Sequence, residues 1–366
     1  MTIDITCITK EEFDTWDRCV DRSPEATLFH RSAVLEQLAD YASGTLHPLI
    51  GYKGQEPVGI LPLFELSKGP ARAVFSPPPA TWVEYLGPAT LNMSKLSCRK
   101  AERRHQRFID ACFEYVDEVI DPIVTRIESP PQYNDVRPFQ WGGYTTITEY
   151  TYVVELTDED DMLSRFSSDA RGNIRDSYDT DFTISREDES ALHLILDQVE
   201  RRYREQNTPV TLPSAFFRDL YQSLSDDELR PYVCRVDGEF VGGIIAAADD
   251  DTAYRWIGGV RPEKAVDFPV NDFLDWRVMT DMMADGREYY DLVGASAERI
   301  NEYKAKFDPT LETFYRIQSN PLLFHAFSSA YEQFEWYRLA LSGDINNSGG
   351  SVQQLRNTVT NLFGGN

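Results

Sequence analysis

The sequence predicts an α+β protein made of two tandem domains, each a mixed, mostly antiparallel sheet flanked by helices. The chain has 366 residues, and a single core stops growing at roughly 250–300 residues, so two domains are expected. A hairpin pattern occurs twice, at residues 48–66 and 231–249, each time with a Gly-containing turn followed by Val-Gly. After the second copy, antiparallel strands lead into a strand–helix–strand crossover, which is typical of a mixed sheet.

The first domain is predicted over residues 1–145. Its hairpin turns at Lys53-Gly54, where glycine permits the positive φ of a tight turn. A segment rich in Pro and Gly, 129–143, is predicted to cross to the second domain. The other predicted elements are a strand at 3–8, helices at 10–20 and 32–41, a strand at 72–75, a helix at 97–119 and a strand at 122–127.

The second domain is predicted over residues 146–319. Residues 151–156 alternate in polarity, as a half-buried strand does. Thr157 with Asp160 resembles a capping box and predicts a helix that continues to about residue 177. The second hairpin turns at Asp237-Gly238. The other predicted elements are strands at 181–186, 252–260, 289–293 and 311–318 and helices at 189–206, 213–225, 271–284 and 297–307.

The C-terminal segment is predicted to contain an amphipathic helix at 320–341 and a flexible linker at 342–350. In the tail that follows, four apolar residues share one helical stripe: Val352, Leu355, Val359 and Leu362. The stripe leaves two alternatives open, namely a weakly ordered chain end or a helix that docks on a partner or on a membrane surface.

The chain is strongly acidic, with a formal net charge of −24, and only 8 of its 36 basic residues are Lys. Acidic surfaces with little Lys are typical of proteins that work in very salty cytoplasm, so the composition indicates an extreme halophile. An ordinary acidic protein is the alternative. Negative charge repels nucleic acid and high salt weakens contacts to phosphate, which excludes DNA as a partner and disfavours tRNA.

Signals for export, membrane insertion and metal binding are not found in the sequence. No uncharged apolar run reaches the ~18 residues of a membrane span, and the N-terminus lacks the basic-then-apolar pattern of a signal peptide. We therefore expect a cytoplasmic protein, with peripheral contact at the inner membrane surface left open. The 5 cysteines form no CxxC pair and no His lies at ligand spacing, which predicts reduced thiols and no metal site.

Three short motifs in the second domain resemble those of FemAB-type transferases. RGNIR at 171–175 resembles the R-x-N-I-[KR] signature, YDLVG at 290–294 resembles the Y-D-F-x-G strand, and YKAKF at 303–307 resembles F-K-x-x-F-G. The last motif departs from the family, because Tyr303 replaces Phe and Asp308 stands where Gly is usual.

Two weaker similarities extend this resemblance. FHRS at 29–32 resembles the N-terminal F-x-Q-S entry, and residues 271–276 resemble the helix that precedes the Y-D-F strand. The order and spacing of the motifs cover about residues 25–318. On these motifs the chain is identified as a FemAB-like transferase of the GNAT superfamily, which has the acyl-CoA N-acyltransferase fold.

The resemblance implies a pair of GNAT-like domains that face each other across a cleft. It also implies that the helix at 320–341 packs back on the first domain. The family includes aminoacyl-tRNA-dependent peptidoglycan bridge enzymes and acyltransferases that act on envelope or polysaccharide precursors. A small-molecule, lipid-linked or sugar-linked acceptor is therefore expected.

The catalytic candidates lie in the last two motifs. Lys304 matches the family lysine that stabilises the oxyanion of acyl transfer, with Tyr303 beside it, and a solvated surface lysine is the alternative. Asp291, at the end of a strand, is a candidate base for the incoming ammonium or an anchor for neighbouring backbone.

The candidates for substrate binding are spread more widely. Arg171 and Arg175 lie four residues apart and share a helical face, so they are able to hold a phosphate or to pair with neighbouring aspartates. Asn173 between them is able to buttress the helix instead. The remaining candidates are Tyr254 as a cleft-lining or core residue, Asn271 through the helix similarity, and Glu128 as a binding or structural carboxylate.

The donor is expected to be an acyl-CoA or an aminoacyl-tRNA, with no tightly bound cofactor. Residues 258–269 occupy the place of the usual phosphate-binding loop but lack its Gly spacing, and Glu263 and Asp267 repel phosphate. The sequence leaves three functions open. They are an acyl- or aminoacyltransferase that forms an amide, a non-catalytic binding protein for an anionic sugar or nucleotide, and an interaction protein that docks through its tail.

Overall fold

A computed structural model of the chain describes residues 2–68, 71–176, 182–206, 210–211, 213–259, 262, 266 and 268–319. Contacts join Met1–Pro321 into one compact unit. The predicted C-terminal helix, linker and tail at 320–366 lie outside the described residues, as does half of the loop at 258–269. Within the described part of the chain, no helix is both long and apolar enough to cross a membrane.

The first half contains six strands and four α-helices among the described residues. Apolar residues recur at helical spacing in α1, which buries Trp16, Cys19 and Val20. The strands are β1 (Asp4–Cys7), β2 (Thr45–Lys53), β3 (Glu56–Lys68), β4 (Ala71–Ser76), β5 (Ala89–Thr90) and β6 (Val124–Glu128). The helices are α1 (Phe13–Val20), α2 (Ser32–Ala42), α3 (Cys98–Tyr115) and α4 (Arg137–Trp141).

The second half repeats this alternation of strands and helices. The same spacing in α7 buries Leu192, Ile195, Leu196 and Val199. The strands are β7 (Thr145–Glu155), β8 (Thr183–Arg186), β9 (Leu229–Val236), β10 (Glu239–Ala248), β11 (Thr252–Gly258), β12 (Tyr289–Asp291) and β13 (Thr310–Gln318). The helices are α5 (Glu159–Arg165), α6 (Ser168–Asp176), α7 (Glu189–Glu205), α8 (Ser214–Ser223), α9 (Val270–Ala284) and α10 (Glu298–Ala305).

All strands belong to one open sheet, in the order β1-β2-β3-β4-β6-β13-β7-β12-β11-β10-β9-β8, with β5 paired to β3. Each half has an antiparallel meander followed by one parallel pair, β4 with β6 and β11 with β12. The mixed, mostly antiparallel sheet and the repeated hairpin are as predicted. The last strand, β13, joins the halves, because it pairs with β6 on one side and with β7 on the other.

The halves also share a hydrophobic core. Phe29 of the first half packs against Tyr254 and Trp256 of β11, with ring centroids 5.4 Å apart in each case. Trp256 Nε1 donates to the carbonyl of Trp82 at 2.8 Å. Such packing holds the first-half loop that follows β4 against the second half.

Two local predictions differ from the structure. The helix predicted over 157–177 is two helices, because Phe166 adopts an extended backbone between α5 and α6, and the N-cap is Asp158, which accepts from the Asp161 amide. The predicted crossing at 129–143 contains helix α4, and β7 begins at Thr145, six residues earlier than the strand predicted at 151.

Candidate active site

The side chain of Lys304 lies in the last turn of α10 and is only 8% exposed. Its Nζ donates to the carbonyl oxygens of Val293 at 2.9 Å and Gly294 at 2.7 Å. An ammonium has three N–H groups, so these two partners leave one for a further acceptor. Lys304 is therefore a buried residue, and the alternative prediction of a solvated surface lysine does not fit its position.

Burial is the main cause that lowers the pKa of Lys304, to about 8, and the nearby Arg255 guanidinium acts in the same direction. The carboxylates of Asp291 and Glu84 act against this shift. Because the pKa remains above neutrality, Lys304 is mostly an ammonium at pH 7.

The loop that holds Lys304 has an unusual backbone. Val293 and Gly294 both have positive φ, 55° and 81°. A β-branched residue in this region is an outlier, and such strain is concentrated at functional sites. Both of these consecutive residues direct their carbonyl oxygens at the same ammonium.

Asp291 ends β12 and is 2% exposed. Its Oδ1 accepts from the Val293 amide at 2.7 Å and from the Thr151 hydroxyl at 2.6 Å. Burial raises the pKa of Asp291 to about 6, while those two hydrogen bonds and Lys304 oppose the rise. The carboxylate therefore anchors the neighbouring backbone and is also poised to take up a proton near neutral pH.

Thr151 connects this loop to the first half. Its hydroxyl accepts from the Tyr85 hydroxyl at 2.8 Å and from the Gly294 amide at 3.0 Å. Tyr85 is fully buried, and its ring packs edge-on against Phe314 of β13 at 4.9 Å. Since all of these groups are buried, the two halves are held in a fixed arrangement around Asp291.

Tyr303 points into the second half. Its hydroxyl donates to Asp275 Oδ2 at 2.5 Å. The fully buried Asp275 also accepts from the Tyr290 hydroxyl at 2.8 Å and from Arg255 Nε at 2.8 Å. This network orients α10 on α9, so Tyr303 is a positioning residue for its neighbour Lys304.

Asn173 and Asn271 also hold helices in place. Asn173 Nδ2 donates to Asp272 Oδ2 at 2.7 Å, and Lys306 binds the other oxygen of that carboxylate at 2.5 Å. Asn271 Nδ2 donates to the carbonyl of Gly259 at 2.8 Å. Asn173 thus holds α6 against α9, which corresponds to the buttressing role given above as the alternative to substrate binding.

The two arginines of the RGNIR motif have different surroundings. Arg171 Nη1 donates to the carbonyls of Ser164 and Phe166 at 2.9 and 2.8 Å, which satisfies the C-terminal end of α5. Arg175 is exposed on α6. The sequence predicts that Arg171 binds a phosphate or pairs with an aspartate. Its contacts with backbone carbonyls are a third role, which the sequence analysis does not include.

The last two predicted residues are fully engaged with protein groups. Tyr254 is 2% exposed, and its hydroxyl donates to Asp249 at 2.8 Å, so it occupies the core, the second of its two predicted roles. Glu128 Oε1 accepts from Arg126 Nε and from Arg316 Nε, each at 3.1 Å. Glu128 thereby ties β6 to β13.

Sequence reasoning missed three residues near Lys304: Glu84, Tyr85 and Thr151. None of them belongs to a motif, and all are far from residue 304 in sequence. The one available signal was the position of Glu84 and Tyr85 directly after the Pro-rich loop that follows β4.

Comparison with known proteins bears on this site. Residues 164–305 match the family model described as "Acetyltransferase (GNAT) domain". This range includes both Asp291 and Lys304, so the motif residues lie in a segment that is similar to a GNAT acetyltransferase domain. No curated protein matches the chain.

Solved structures share the fold over most of the chain. FemX superposes with a TM-score of 0.68 at 12% identity and covers 85% of this chain and 96% of its own. The C-terminal domain of a putative lysylphosphatidylglycerol synthetase from Agrobacterium fabrum has a TM-score of 0.52 at 15% identity, with 92% and 99% covered. L-PGS from Bacillus licheniformis has a TM-score of 0.50 at 14% identity, with 87% and 94% covered. The fold of FemX is therefore shared over both halves of this chain.

Proposed function

We propose that this chain is an N-acyltransferase that forms an amide on an amine of a cell-envelope or polysaccharide precursor. The observation that carries the proposal is the buried Lys304 ammonium, bound by two backbone carbonyls beside the Asp291 carboxylate, within the GNAT domain. A cation held by fixed protein groups stabilises a developing negative charge without solvent reorganisation.

The reaction proceeds in three steps at these residues. The acceptor ammonium gives a proton to Asp291, whose raised pKa of about 6 makes it a stronger base than an ordinary carboxylate. The neutral amine attacks the acyl carbon, a C–N bond forms, and the carbonyl oxygen becomes an oxyanion that the third N–H of Lys304 stabilises. The carbonyl then re-forms, the C–S bond breaks, and the sulfur leaves with its electron pair and takes up the second proton, which the attacking nitrogen gives up as the amide forms. The products are an amide and a free thiol.

An acyl-CoA thioester is the proposed donor. The GNAT domain supports it, and the net charge of −24 works against the long phosphate backbone of a tRNA. The envelope or polysaccharide acceptor is supported by the fold shared with FemX and with the C-terminal domain named for a putative lysylphosphatidylglycerol synthetase.

The donor is tested with full-length protein purified in high salt. Mass spectrometry of retained ligands identifies the chemical class, and turnover is followed with a series of acyl-CoAs and, separately, with aminoacyl-tRNA. We expect thiol release from an acyl-CoA that depends on an added amine and equals the amide formed. Turnover only with aminoacyl-tRNA would replace the donor. Stabilisation by an anionic sugar or nucleotide without turnover of either donor would favour the binding-protein alternative.

A further inference from the structure

Glu84 lies on the first-half loop between β4 and β5, close to the proposed reaction centre. Its side chain is exposed to solvent, and none of the described residues forms a hydrogen bond or ion pair with it. Nevertheless, burial is the largest cause that raises the pKa of Glu84, and Lys304 and Asp291 act on it electrostatically. Its neighbour Tyr85 belongs to the hydrogen-bonded network around Asp291, so this exposed carboxylate lies on the loop that borders the proposed reaction centre.

The backbone on both sides of Glu84 is held firmly. The Trp82 carbonyl accepts from Trp256 at 2.8 Å, and the Leu86 amide donates to the Glu128 carbonyl at 2.9 Å. Tyr85 is tied to Thr151, as described above. Trp82 also has a positive φ of 57°, and such strained backbone persists only where its surroundings impose it. The loop therefore presents an unpaired carboxylate on a rigid support.

The charges around Glu84 leave it uncompensated. Its electrostatic neighbours besides tyrosines are two carboxylates, Glu128 and Asp291, and two cations, Lys304 and Arg316. Arg316 pairs with Glu128, and Lys304 donates to backbone carbonyls, so neither cation forms an ion pair with Glu84. This position therefore favours a ligand that carries one positive charge.

Aromatic rings stand next to this carboxylate. Trp82 and Tyr203 are both half-buried, and their ring centroids lie 5.5 Å apart. Burial raises the pKa of Tyr203, and the charge of Glu84 acts in the same direction. A carboxylate beside aromatic faces is a combination that binds organic ammonium groups.

We propose that Glu84 binds the positively charged amine of the acceptor and delivers it from the first half of the chain to Lys304 and Asp291. This inference rests on the proposed function, in which the acceptor amine is the one reactant that enters as a cation. An acyl-CoA carries phosphates, which Glu84 repels. The acceptor class is therefore a primary amine that is protonated when it binds.

The test compares Glu84→Gln, which removes the charge at constant size, with Glu118→Gln, which changes an exposed glutamate on the first half after α3. The probes are D-glucosamine, L-lysine and ethanolamine, each matched with its N-acetyl form. For an amine that is turned over, we expect E84Q to raise the KM of that amine about 10–100-fold, because the loss of one charged hydrogen bond weakens binding by about this factor. Its kcat should stay within about threefold, and the KM for acyl-CoA and all parameters of E118Q should be unchanged.

Binding without chemistry is measured by calorimetry in the absence of donor. The wild type should bind at least one amine about tenfold more tightly than its N-acetyl form, and E84Q should lose that preference. Circular dichroism establishes that both variants are folded, as expected for exposed positions.

The outcomes separate the two proposals. Turnover with an unchanged acceptor KM in E84Q overturns the role of Glu84 and leaves the transferase intact. A second outcome is that the wild type prefers the amine, E84Q loses this preference, and the wild type shows no turnover. That result overturns the proposed transferase activity and retains the binding of an ammonium group by Glu84. If the wild type binds none of the three amines better than its acetylated form, the inference about Glu84 is wrong.

Discussion

Lys304 and Asp291 are both bound to the backbone of one residue, Val293. The Lys304 ammonium donates to the Val293 carbonyl at 2.9 Å, and the Asp291 carboxylate accepts from the Val293 amide at 2.7 Å. The cation and the anion are thus positioned by one strained residue instead of by a direct ion pair. Each keeps a distinct titration, with a pKa of about 8 for Lys304 and about 6 for Asp291.

These two pKa values predict a bell-shaped dependence of activity on pH. Asp291 is charged, and able to accept a proton, above about pH 6, while Lys304 is an ammonium below about pH 8. Activity should therefore rise through about 6, fall through about 8 and be highest between them. The measurement is kcat/KM as a function of pH at constant salt. Lys304→Arg should move the high-pH limb upward, because arginine stays charged, and an unmoved limb would assign it to another group.

The low-pH limb is tested separately at Thr151. The Thr151 hydroxyl stabilises the charged form of Asp291, so Thr151→Val removes a bond that lowers the pKa of that carboxyl. The low-pH limb should move upward by about one pH unit, the value of one such hydrogen bond. The high-pH limb should stay in place. A shift of both limbs, or of neither, would contradict the assignment to Asp291.

Loss of the ammonium should reduce catalysis strongly. Lys304→Met should lower kcat about 10²–10³-fold, as removal of an oxyanion donor does. It also leaves the carbonyls of Val293 and Gly294 without a donor, at a cost of about 1–3 kcal/mol each in unfolding free energy. Steady-state kinetics and urea unfolding measure both effects. Lys100→Met, at an exposed lysine on α3, is the control, and full activity in K304M would end the proposed mechanism.

Asp275 is predicted to be a stability determinant. Asp275→Ala leaves the Arg255 guanidinium in the interior without its carboxylate, which should cost about 3–5 kcal/mol. Asp281→Ala, on the same helix, breaks only a surface pair with Arg277 and should cost under about 1 kcal/mol. Denaturant midpoints compare the two, and equal losses would show that the buried network is not special.

Stability should depend on salt. The chain carries 60 acidic residues and a net charge of −24, and the screening length grows from about 3 Å at about 1 M salt to about 10 Å at about 0.1 M. Repulsion among carboxylates then extends over more pairs, so the melting temperature should fall on desalting. Thermal melts in a KCl series, with a sucrose series as the uncharged control, measure it. A melting temperature that is independent of KCl would argue for an ordinary acidic protein.

Much of the fold could be predicted because its signals are local. The two hairpins depend on turns at Gly54 and Gly238, both of which have positive φ, and the helices depend on apolar spacing within single segments. The break at Phe166 was missed because no Pro or Gly marks it. The insertion of β13 between β6 and β7 was also missed, since strand neighbours are chosen by pairing across the whole chain.

For the site, the sequence by itself determined which residues form the motifs, including Lys304 and Asp291, and in which order they occur. A motif is defined by residue types at fixed spacing, and both are visible in a short stretch of sequence. Tertiary structure alone decided their surroundings. It brought Tyr85 to Thr151, turned Arg171 onto backbone carbonyls and left Glu84 unpaired near Lys304. The physical reason is that burial and electrostatic environment depend on contacts between residues far apart in the chain, and these form only when both halves complete one sheet and one core.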